Sequence, residues 1–191
     1  MIILKMYITM IPVIIAGILN MLFVKTSLYR RINRPIDGGR TLRDGRRLFG
    51  ENKTWAGFGG MIVFGATAQA LWGFVCRGFP ELCPIYSRFG NALPFNLAAG
   101  AAMGFAYVLF ELPNSFVKRR LDIPSGKTVR GFKGAVFFVI DQVDSLFGVA
   151  GVFAALFPMT VWEYWAYISL GAGTHIAVNR ILYAMRIRKN L

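Results

Sequence analysis

Residues 135–157 read AVFFVIDQVDSLFGVAGVFAALF, an apolar run long enough to cross a bilayer that nevertheless carries Asp141 and Asp144. Their i, i+3 spacing puts both carboxylates on one face of a helix. An ionised carboxylate at membrane depth costs about 2.5–3.5 kcal/mol on insertion scales. A partner must therefore neutralise the pair. Mg²⁺ suits this role because it takes hard oxygen ligands, often one or two carboxylates together with substrate phosphates.

The rest of the chain has the composition of a membrane protein. Of its 191 residues, 55% are hydrophobic, and the mean hydropathy is +0.51. Five apolar segments are each near the 20 residues that a spanning helix needs. They cover roughly 2–24, 55–76, 93–113, 134–157 and 161–183. The sequence therefore predicts an all-α integral membrane protein with about five transmembrane helices, forming a single membrane-embedded domain over residues 1–191.

The net charge of +13 is distributed as in a membrane protein and not as in a nucleic-acid-binding protein. Nine Lys and Arg residues fall in 25–54, six in 114–133 and four from Arg180 onward, out of 22. With five spans, these three basic regions share one side. The positive-inside rule then predicts an outside N-terminus, a cytoplasmic C-terminus and two basic cytoplasmic loops. We expect a multi-pass protein of the cell (inner) membrane whose active site faces the cytoplasm.

The first basic loop has features of a phosphate site. Asp37 and Asp44 each precede a glycine and predict turns. Arginine offers a planar fork that matches phosphate, and glycine lets the backbone approach a ligand. Lys53 and Thr54 open the second apolar segment, where a helix N-terminus favours an anion. The alternative is a loop that only orients the protein or touches anionic lipid. The surrounding cations are Arg40, Arg43, Arg46, Arg47 and Lys53.

The second basic loop, read as residues 110–127, brings cations close to a third carboxylate. Glu111 ends the third apolar segment, and Lys118 and Arg119 follow one to two turns later. Glu111 is either a third metal ligand beside Asp141 and Asp144 or a helix-end carboxylate paired with Lys118 or Arg119. Carboxylates that hold Mg²⁺, or Mn²⁺, with cations around them suit a polyphosphate substrate.

Two further pairs of side chains leave alternatives open. His175 and Asn179 lie one turn apart in the last segment and either bond to neighbouring helices or line a lipid-phosphate pocket. Cys76 and Cys83 flank a short loop and are either a disulfide or two free thiols.

Several blocks of the chain resemble the CDP-archaeol synthase family, which is related to the phosphatidate cytidylyltransferases. The blocks are Asp37-Gly-Gly-Arg40, Asp44-Gly-Arg-Arg-Leu-Phe-Gly50, Lys53-Thr54-Trp55-x-Gly57, Ser115-Phe-Val-Lys-Arg-Arg120, Asp141-Gln-Val-Asp144 and His175-x-x-x-Asn179. The resemblance implies five spans and the transfer of CMP from CTP to a lipid phosphate, with Mg²⁺. The family usually has Gly-Asp where this chain has Phe110-Glu111, and Ser145 follows the aspartate block as in the phosphatidate enzymes. Because of these differences, the lipid substrate could be either a diacyl or a diether phosphate.

The resulting hypothesis is a CTP:lipid-phosphate cytidylyltransferase. Asp141 and Asp144, with Glu111, would hold Mg²⁺. Asp37 and Asp44 would organise the first loop or contact the nucleotide. Lys118 and Arg119 are expected to be catalytic and to bind the phosphates of CTP. The other residues expected to bind CTP are Arg46, Arg47, Gly50, Lys53, Thr54 and Ser115.

Two other functions use membrane-edge aspartates. A CDP-alcohol phosphatidyltransferase would need a tighter group of aspartates after an Asp-Gly-x-x-Ala-Arg step, which the sequence lacks. A cation or proton transporter would need polar residues continuing along the fourth span, but none lies between Ser145 and Phe157. Expected partners are CTP, a lipid phosphate and the membrane, with no nucleic acid. A homodimer is left open.

Overall fold

The computed structural model describes residues 1–127, 129 and 131–185. Arg130 and the basic tail from residue 186, both used in the charge argument, lie outside the described residues. Six α-helices and two short 3₁₀ turns, at Pro80–Leu82 and Pro84–Tyr86, make up the described elements. The helices are α1 (Ile2–Phe23), α2 (Ser27–Ile32), α3 (Trp55–Cys76), α4 (Leu93–Arg120), α5 (Gly131–Leu156) and α6 (Val161–Ala184).

The long helices coincide with the predicted apolar segments. Among the described residues, four helices are long and apolar enough to cross a membrane, namely α1, α3, α4 and α5. The 24-residue helix α6 is not among them, and its Glu163, His175, Asn179 and Arg180 lower its mean hydropathy. The all-helical membrane fold is confirmed, whereas the count of five spans and the orientation of the termini stay predictions.

Helix α4 is longer than the sequence predicts. Its third apolar segment was expected to end at residue 113, followed by a loop, yet the helix continues through Pro113 to Arg120. Membrane helices tolerate proline where neighbouring groups satisfy the freed backbone, and the residues that follow include good helix formers. Lys118, Arg119 and Arg120 therefore lie in the last helical turn, where the helix dipole favours positive charge.

Helices α3 and α4 touch through their backbones. A Cβ added to Gly65 would lie 2.4 Å from the carbonyl oxygen of Gly100, and one added to Gly104 would lie 2.3 Å from that of Met61. Small residues allow this approach and are favoured between membrane helices for that reason. The contact fixes the start of α3, and hence the end of the first loop, against the last turns of α4.

The opposite end of these two helices holds a cluster of neutral polar groups, Gln69, Tyr86, Asn91 and Asn96, which we call the amide end. Gln69 Nε2 donates to Tyr86 Oη at 3.0 Å and to Asn96 Oδ1 at 3.3 Å. Asn96 Nδ2 donates to Asn91 Oδ1 at 2.7 Å. These bonds satisfy the amide N–H groups of Gln69 and Asn96, which would be costly if left bare among apolar helices. Gln69 Oε1 has no hydrogen-bond partner.

The two cysteines lie beside the amide end. Cys76 closes α3 and Cys83 lies between the two 3₁₀ turns; both are buried and both are free thiols in this structure. Of the two alternatives that the sequence left open, the structure therefore has the free thiols.

Candidate active site

The two membrane aspartates are joined by a single amide of α4. Asn114 Nδ2 donates to Asp141 Oδ1 at 2.7 Å and to Asp144 Oδ2 at 2.6 Å. Lys118, one turn further along α4, donates from Nζ to both oxygens of Asp141, at 2.5 and 2.6 Å. The i, i+3 aspartates of α5 thus face α4 together, as their spacing predicts, and their charge is met by one cation and one amide.

Glu111 forms an ion pair with Lys53, at the end of the first loop. Both side chains are largely buried, with 24% and 22% of their surfaces exposed. Burial disfavours the charged form of Lys53, but Glu111 and then Asp144 and Asp141 outweigh this and raise its pKa. The expected alternative pairing of Glu111 with Lys118 or Arg119 is wrong: Lys118 bonds to Asp141, and Lys53 reaches Glu111 because α3 and α4 pack closely.

The carboxylates do not form a three-ligand metal site in this conformation. Among residues 1–127, 129 and 131–185, no three His, Cys, Asp or Glu side chains come together as a metal-binding group. Asp141 and Asp144 remain a pair of hard oxygen donors, and the buried Asn114 Oδ1 beside them has no hydrogen-bond partner. Two carboxylates suit Mg²⁺ or Mn²⁺, which completes its ligands with water or phosphate. Glu111 as a third ligand stays a prediction.

Asp37 organises the first loop. Its buried carboxylate accepts from Arg47 Nη2 at 2.6 Å and Nε at 3.2 Å, and from the backbone N–H groups of Gly39 at 2.9 Å and Phe49 at 3.1 Å. Burial alone would raise the pKa of Asp37, but the Arg47 and backbone hydrogen bonds lower it overall. Since all these donors come from the loop, Asp37 holds the loop's own backbone.

Asp44 connects the first loop to α4. Arg120 Nη1 donates to its two oxygens at 2.9 and 2.7 Å. In the reverse direction, Arg46 donates to the Arg120 carbonyl at 2.7 Å and pairs with Asp122 at 2.5 Å. The backbone N–H of Arg46, then the nearby arginines, lower the pKa of Asp44. These bonds make the first loop and the last turn of α4 one unit.

Three further predicted site residues lie where these two segments meet. The Gly50 N–H donates to Ser115 Oγ at 3.0 Å. Thr54 caps α3 by accepting from the Gly57 N–H at 3.1 Å, and its hydroxyl is 2.9 Å from Tyr29 Oη. A Cβ at Gly50 would lie 2.5 Å from Asn52 Oδ1 and 2.6 Å from Ser125 Oγ, so a larger residue there would have to displace both side chains.

The cations that the sequence predicts to bind phosphate differ in whether they form an ion pair with a carboxylate in this structure. Each of Arg46, Arg47, Lys53 and Lys118 forms an ion pair with a carboxylate. Arg119 instead donates from Nη1 to Ser125 Oγ at 2.7 Å, and no carboxylate within the described residues pairs with it. An anion could therefore contact Arg119 without displacing a carboxylate, whereas at the other four it would have to replace one.

A cavity of ≈ 220 Å³ opens between α1, α3, α4, α5 and α6. Most of its lining is aliphatic, and Glu111 and Asp141 form a charged part of its wall. His175 and Asn179 line it as well. His175 Nε2 is 2.7 Å from Tyr107 Oη, and Asn179 Nδ2 donates to Gln142 Oε1 at 3.3 Å. Both therefore bond to neighbouring helices and line the cavity, which the sequence treated as alternatives.

A second cavity of ≈ 90 Å³ lies under the first loop. It is lined by Tyr29, Lys53 and Thr54 together with Glu111. Asn20, Val108 and Glu111 line both cavities, so Glu111 and its partner Lys53 stand where the intramembrane cavity meets the loop cavity.

Sequence reasoning missed Asn114, Arg120 and Tyr107. A signal for Asn114 was present, since Glu111, Asn114, Ser115 and Lys118 follow the i, i+3, i+4, i+7 pattern of one helical face. Reading residues 110–127 as a loop concealed that face. No local pattern indicated that Arg120 would reach Asp44, 76 residues away.

Comparison with known proteins identifies the family to which this arrangement belongs. The model of the CarS-like family, described as CDP-archaeol synthase, matches residues 1–190. The chain belongs to the CDP-archaeol synthase family. Curated CDP-archaeol synthases from Methanococcoides burtonii and Thermococcus onnurineus are 32% and 40% identical to it. The first match covers 82% of this chain and 89% of the relative, and the second covers 56% of each.

A solved structure shares the fold of this CDP-archaeol synthase family member. It is described as an intramembrane enzyme for archaeal membrane lipids biosynthesis. The TM-score is 0.61 at 26% identity, and the match covers 90% of each chain. The Thermococcus relatives match over little more than half of their length. The likeness supports a membrane protein with this family's helical architecture.

Proposed function

We propose that this protein is a CTP-dependent cytidylyltransferase that transfers CMP from CTP to a lipid phosphate and makes a CDP-lipid and pyrophosphate. The observation that carries the proposal is the meeting of two cavities at Glu111. One is apolar and lies within the helix bundle, and the other lies under a loop rich in arginine and glycine. Hydrocarbon tails could occupy the bundle cavity while a triphosphate approaches from the loop side, where Lys53 lines the second cavity and Glu111 lines both.

The first loop would bind the triphosphate of CTP. Arg119 has no carboxylate partner among the described residues and would contact phosphate first, while Lys53 and Lys118 could exchange a carboxylate for phosphate. Arg46 and Arg47 keep the loop folded through Asp122 and Asp37. Their positive charge still lowers the energy of a polyanion near the loop. Asp37 and Asp44 act as loop organisers in this proposal.

The intramembrane cavity would hold the part of the lipid tails that adjoins the phosphate group. Its aliphatic lining suits tails, and Tyr107, His175 and Asn179 offer polar groups in the same wall. The relatives are named for CDP-archaeol, which favours a diether lipid phosphate. A diacyl phosphate shares the same headgroup chemistry, so the assay below compares the two.

The reaction needs no protein nucleophile. An oxygen of the lipid phosphate forms a bond to the α-phosphorus of CTP, and the bond from that phosphorus to the bridging oxygen of the β-phosphate breaks. Pyrophosphate leaves with the electron pair. The lipid phosphate is already anionic, so no general base has to remove a proton. The protein contributes positioning and charge neutralisation, which dominate phosphoryl-transfer catalysis.

Asp141 and Asp144 would hold Mg²⁺ or Mn²⁺, with Glu111 as a further candidate ligand. When bound, the ion supplies positive charge to the phosphate oxygens. Lys118 balances Asp141 at this site, and Lys53 balances Glu111. We further propose that the protein works in the cell membrane with this end facing the cytoplasm, where CTP is available. A homodimer remains compatible with it.

The test is pyrophosphate release from CTP by the purified chain in detergent with Mg²⁺. Three reactions are compared, with a diether lipid phosphate, with phosphatidic acid and with no lipid. Lipid-dependent release that is absent in Asp141→Asn supports the proposal, and the faster lipid identifies the substrate. Absence of release with either lipid, in folded protein, would rule the proposal out. Exchange of a CDP-lipid with an alcohol, or cation flux in liposomes, would instead support the two other functions.

A further inference from the structure

The single amide that joins Asp141 and Asp144 is not a residue that the sequence motifs assign to the site. We infer that Asn114 is a positioning residue of the metal site, which sets the distance between the two carboxylates before the ion arrives. This inference rests on the proposed function, because it assumes that Asp141 and Asp144 bind a divalent cation.

The geometry of the amide supports this role. One nitrogen, Nδ2, carries two hydrogens in a fixed plane, and each hydrogen bonds to a different carboxylate, at 2.7 Å for Asp141 and 2.6 Å for Asp144. The opposite orientation of the amide would set Oδ1 against two carboxylate oxygens, which would repel it. The hydrogen-bond pattern therefore fixes which atom faces the aspartates.

The neighbouring groups leave this role to Asn114 alone among the described residues. Lys118 bonds only to Asp141. Asp144 accepts its other hydrogen bond from the N–H of Ser145, its own chain neighbour, at 2.7 Å. Without Asn114, no hydrogen bond among the described residues would tie Asp144 to Asp141, and two like charges one helical turn apart repel each other. The amide lets them stay together without neutralising them.

The oxygen of the Asn114 side chain is also in an unusual environment. Asn114 Oδ1 is buried and has no hydrogen-bond partner, although buried polar atoms are nearly always bonded. Because Nδ2 faces the two carboxylates, this oxygen lies on the other side of the amide, and Asn114 acts on the cation through Asp141 and Asp144. Partners that orient metal ligands usually contribute to metal affinity, and their loss weakens binding by about 10- to 100-fold.

The experiment measures metal binding separately from turnover. Mn²⁺ binding to the full chain in detergent is followed by electron paramagnetic resonance, with and without a CTP analogue whose α–β bridging oxygen is replaced by methylene. Asn114→Ala should weaken Mn²⁺ binding about 10- to 100-fold. It should raise the Mg²⁺ concentration for half-maximal activity by a similar factor and keep most of the turnover at saturating Mg²⁺. Asn114→Ser, which can donate to only one carboxylate, should fall between.

Asn91→Ala is the matched control, because it removes the same amide at the amide end of the bundle, and it should bind Mn²⁺ like the unchanged protein. Unchanged or tighter Mn²⁺ binding by folded Asn114→Ala and Asn114→Ser would overturn the inference. Asp141→Asn separates the two claims. Loss of Mn²⁺ binding in Asp141→Asn, but not in the Asn114 variants, would refute the positioning role alone. If Asp141→Asn bound Mn²⁺ normally, the metal site of the proposed function would fail too.

Discussion

The two ends of the α3–α4 pair each hold polar groups among apolar helices, but with opposite chemistry. At the amide end, neutral groups of Gln69, Asn91 and Asn96 bond to one another and to Tyr86. At the other end, carboxylates and cations face one another. A buried amide oxygen without a hydrogen-bond partner is found at both ends, on Gln69 and on Asn114, so charge is what distinguishes the two. A neutral network carries no net charge for a ligand to balance. A network of buried charges is costly unless the charges are paired or a ligand completes them, which indicates function at the charged end.

Removing a charge at the charged end should have the largest effect. Asp141→Asn deletes a proposed metal ligand with little change in volume, so we expect a loss of at least about 100-fold in pyrophosphate release, since metals supply several kcal/mol to such steps. Thermal unfolding in detergent should change little. Activity close to that of the unchanged protein would remove Asp141 from the mechanism and weaken the contrast between the two ends.

Breaking the Lys53–Glu111 pair should come next. Lys53→Met leaves a largely buried carboxylate without a partner, which we expect to lower the free energy of unfolding by about 2 kcal/mol, less than for a fully buried pair. Adding Glu111→Gln should restore much of that stability by removing the stranded charge. Activity should stay low in both variants because Lys53 is lost. Recovery of activity in the double variant would show that the pair serves stability alone.

A change at the amide end should affect stability and leave catalysis alone. Gln69→Leu removes two hydrogen bonds of a fully buried side chain and leaves Tyr86 and Asn96 short of a partner, so we expect a loss of about 1–2 kcal/mol. Turnover per folded molecule should match the unchanged protein. A large fall in turnover with normal thermal stability would mean that the amide end also takes part in function.

The smallest effect is expected from pH. The folded pKa of Asp37 lies below its usual value of 3.8, so its stabilising contribution is fully present above that value and is lost only as the pH falls through the lower folded pKa. Asp37→Asn should therefore reduce stability at neutral pH and lose its effect in strong acid. Equal effects of the substitution at both pH values, measured by unfolding, would argue against the Arg47 pairing as the cause.

Much of the fold could be predicted because hydropathy and length are local properties. The segments at 2–24 and 55–76 match α1 and α3 within about one residue. The extension of α4 was missed because Pro113, Glu111 and three consecutive cations resemble a loop in sequence. Packing against α3 and α5 overrides those local signals, and no pattern in α4 itself records that packing.

For the site, residue types could be predicted but partners could not. The acidic pair, the cations and the glycines can be recognised in the sequence because their chemical properties belong to the residue types themselves. That Lys53 would meet Glu111, 58 residues away, depends on the glycine contact between α3 and α4. Asn114 is an exception to this rule. If α4 had been predicted to continue to Arg120, the sequence would have shown that Asn114 shares a helical face with Glu111 and Lys118.

The bonds between the first loop and α4 also bear on the order of assembly during synthesis. Gly50 and Asp44 find their partners 65 and 76 residues later, at Ser115 and Arg120. At usual translation rates, the later partner emerges roughly 4–15 s after Asp44. Until then the arginines of the loop lack the Asp122 and Arg120 contacts. We therefore expect the loop to present more of its positive charge while α1 and α3 insert, and to lose that charge to ion pairs only afterwards. The same residues would first direct insertion and then build the site.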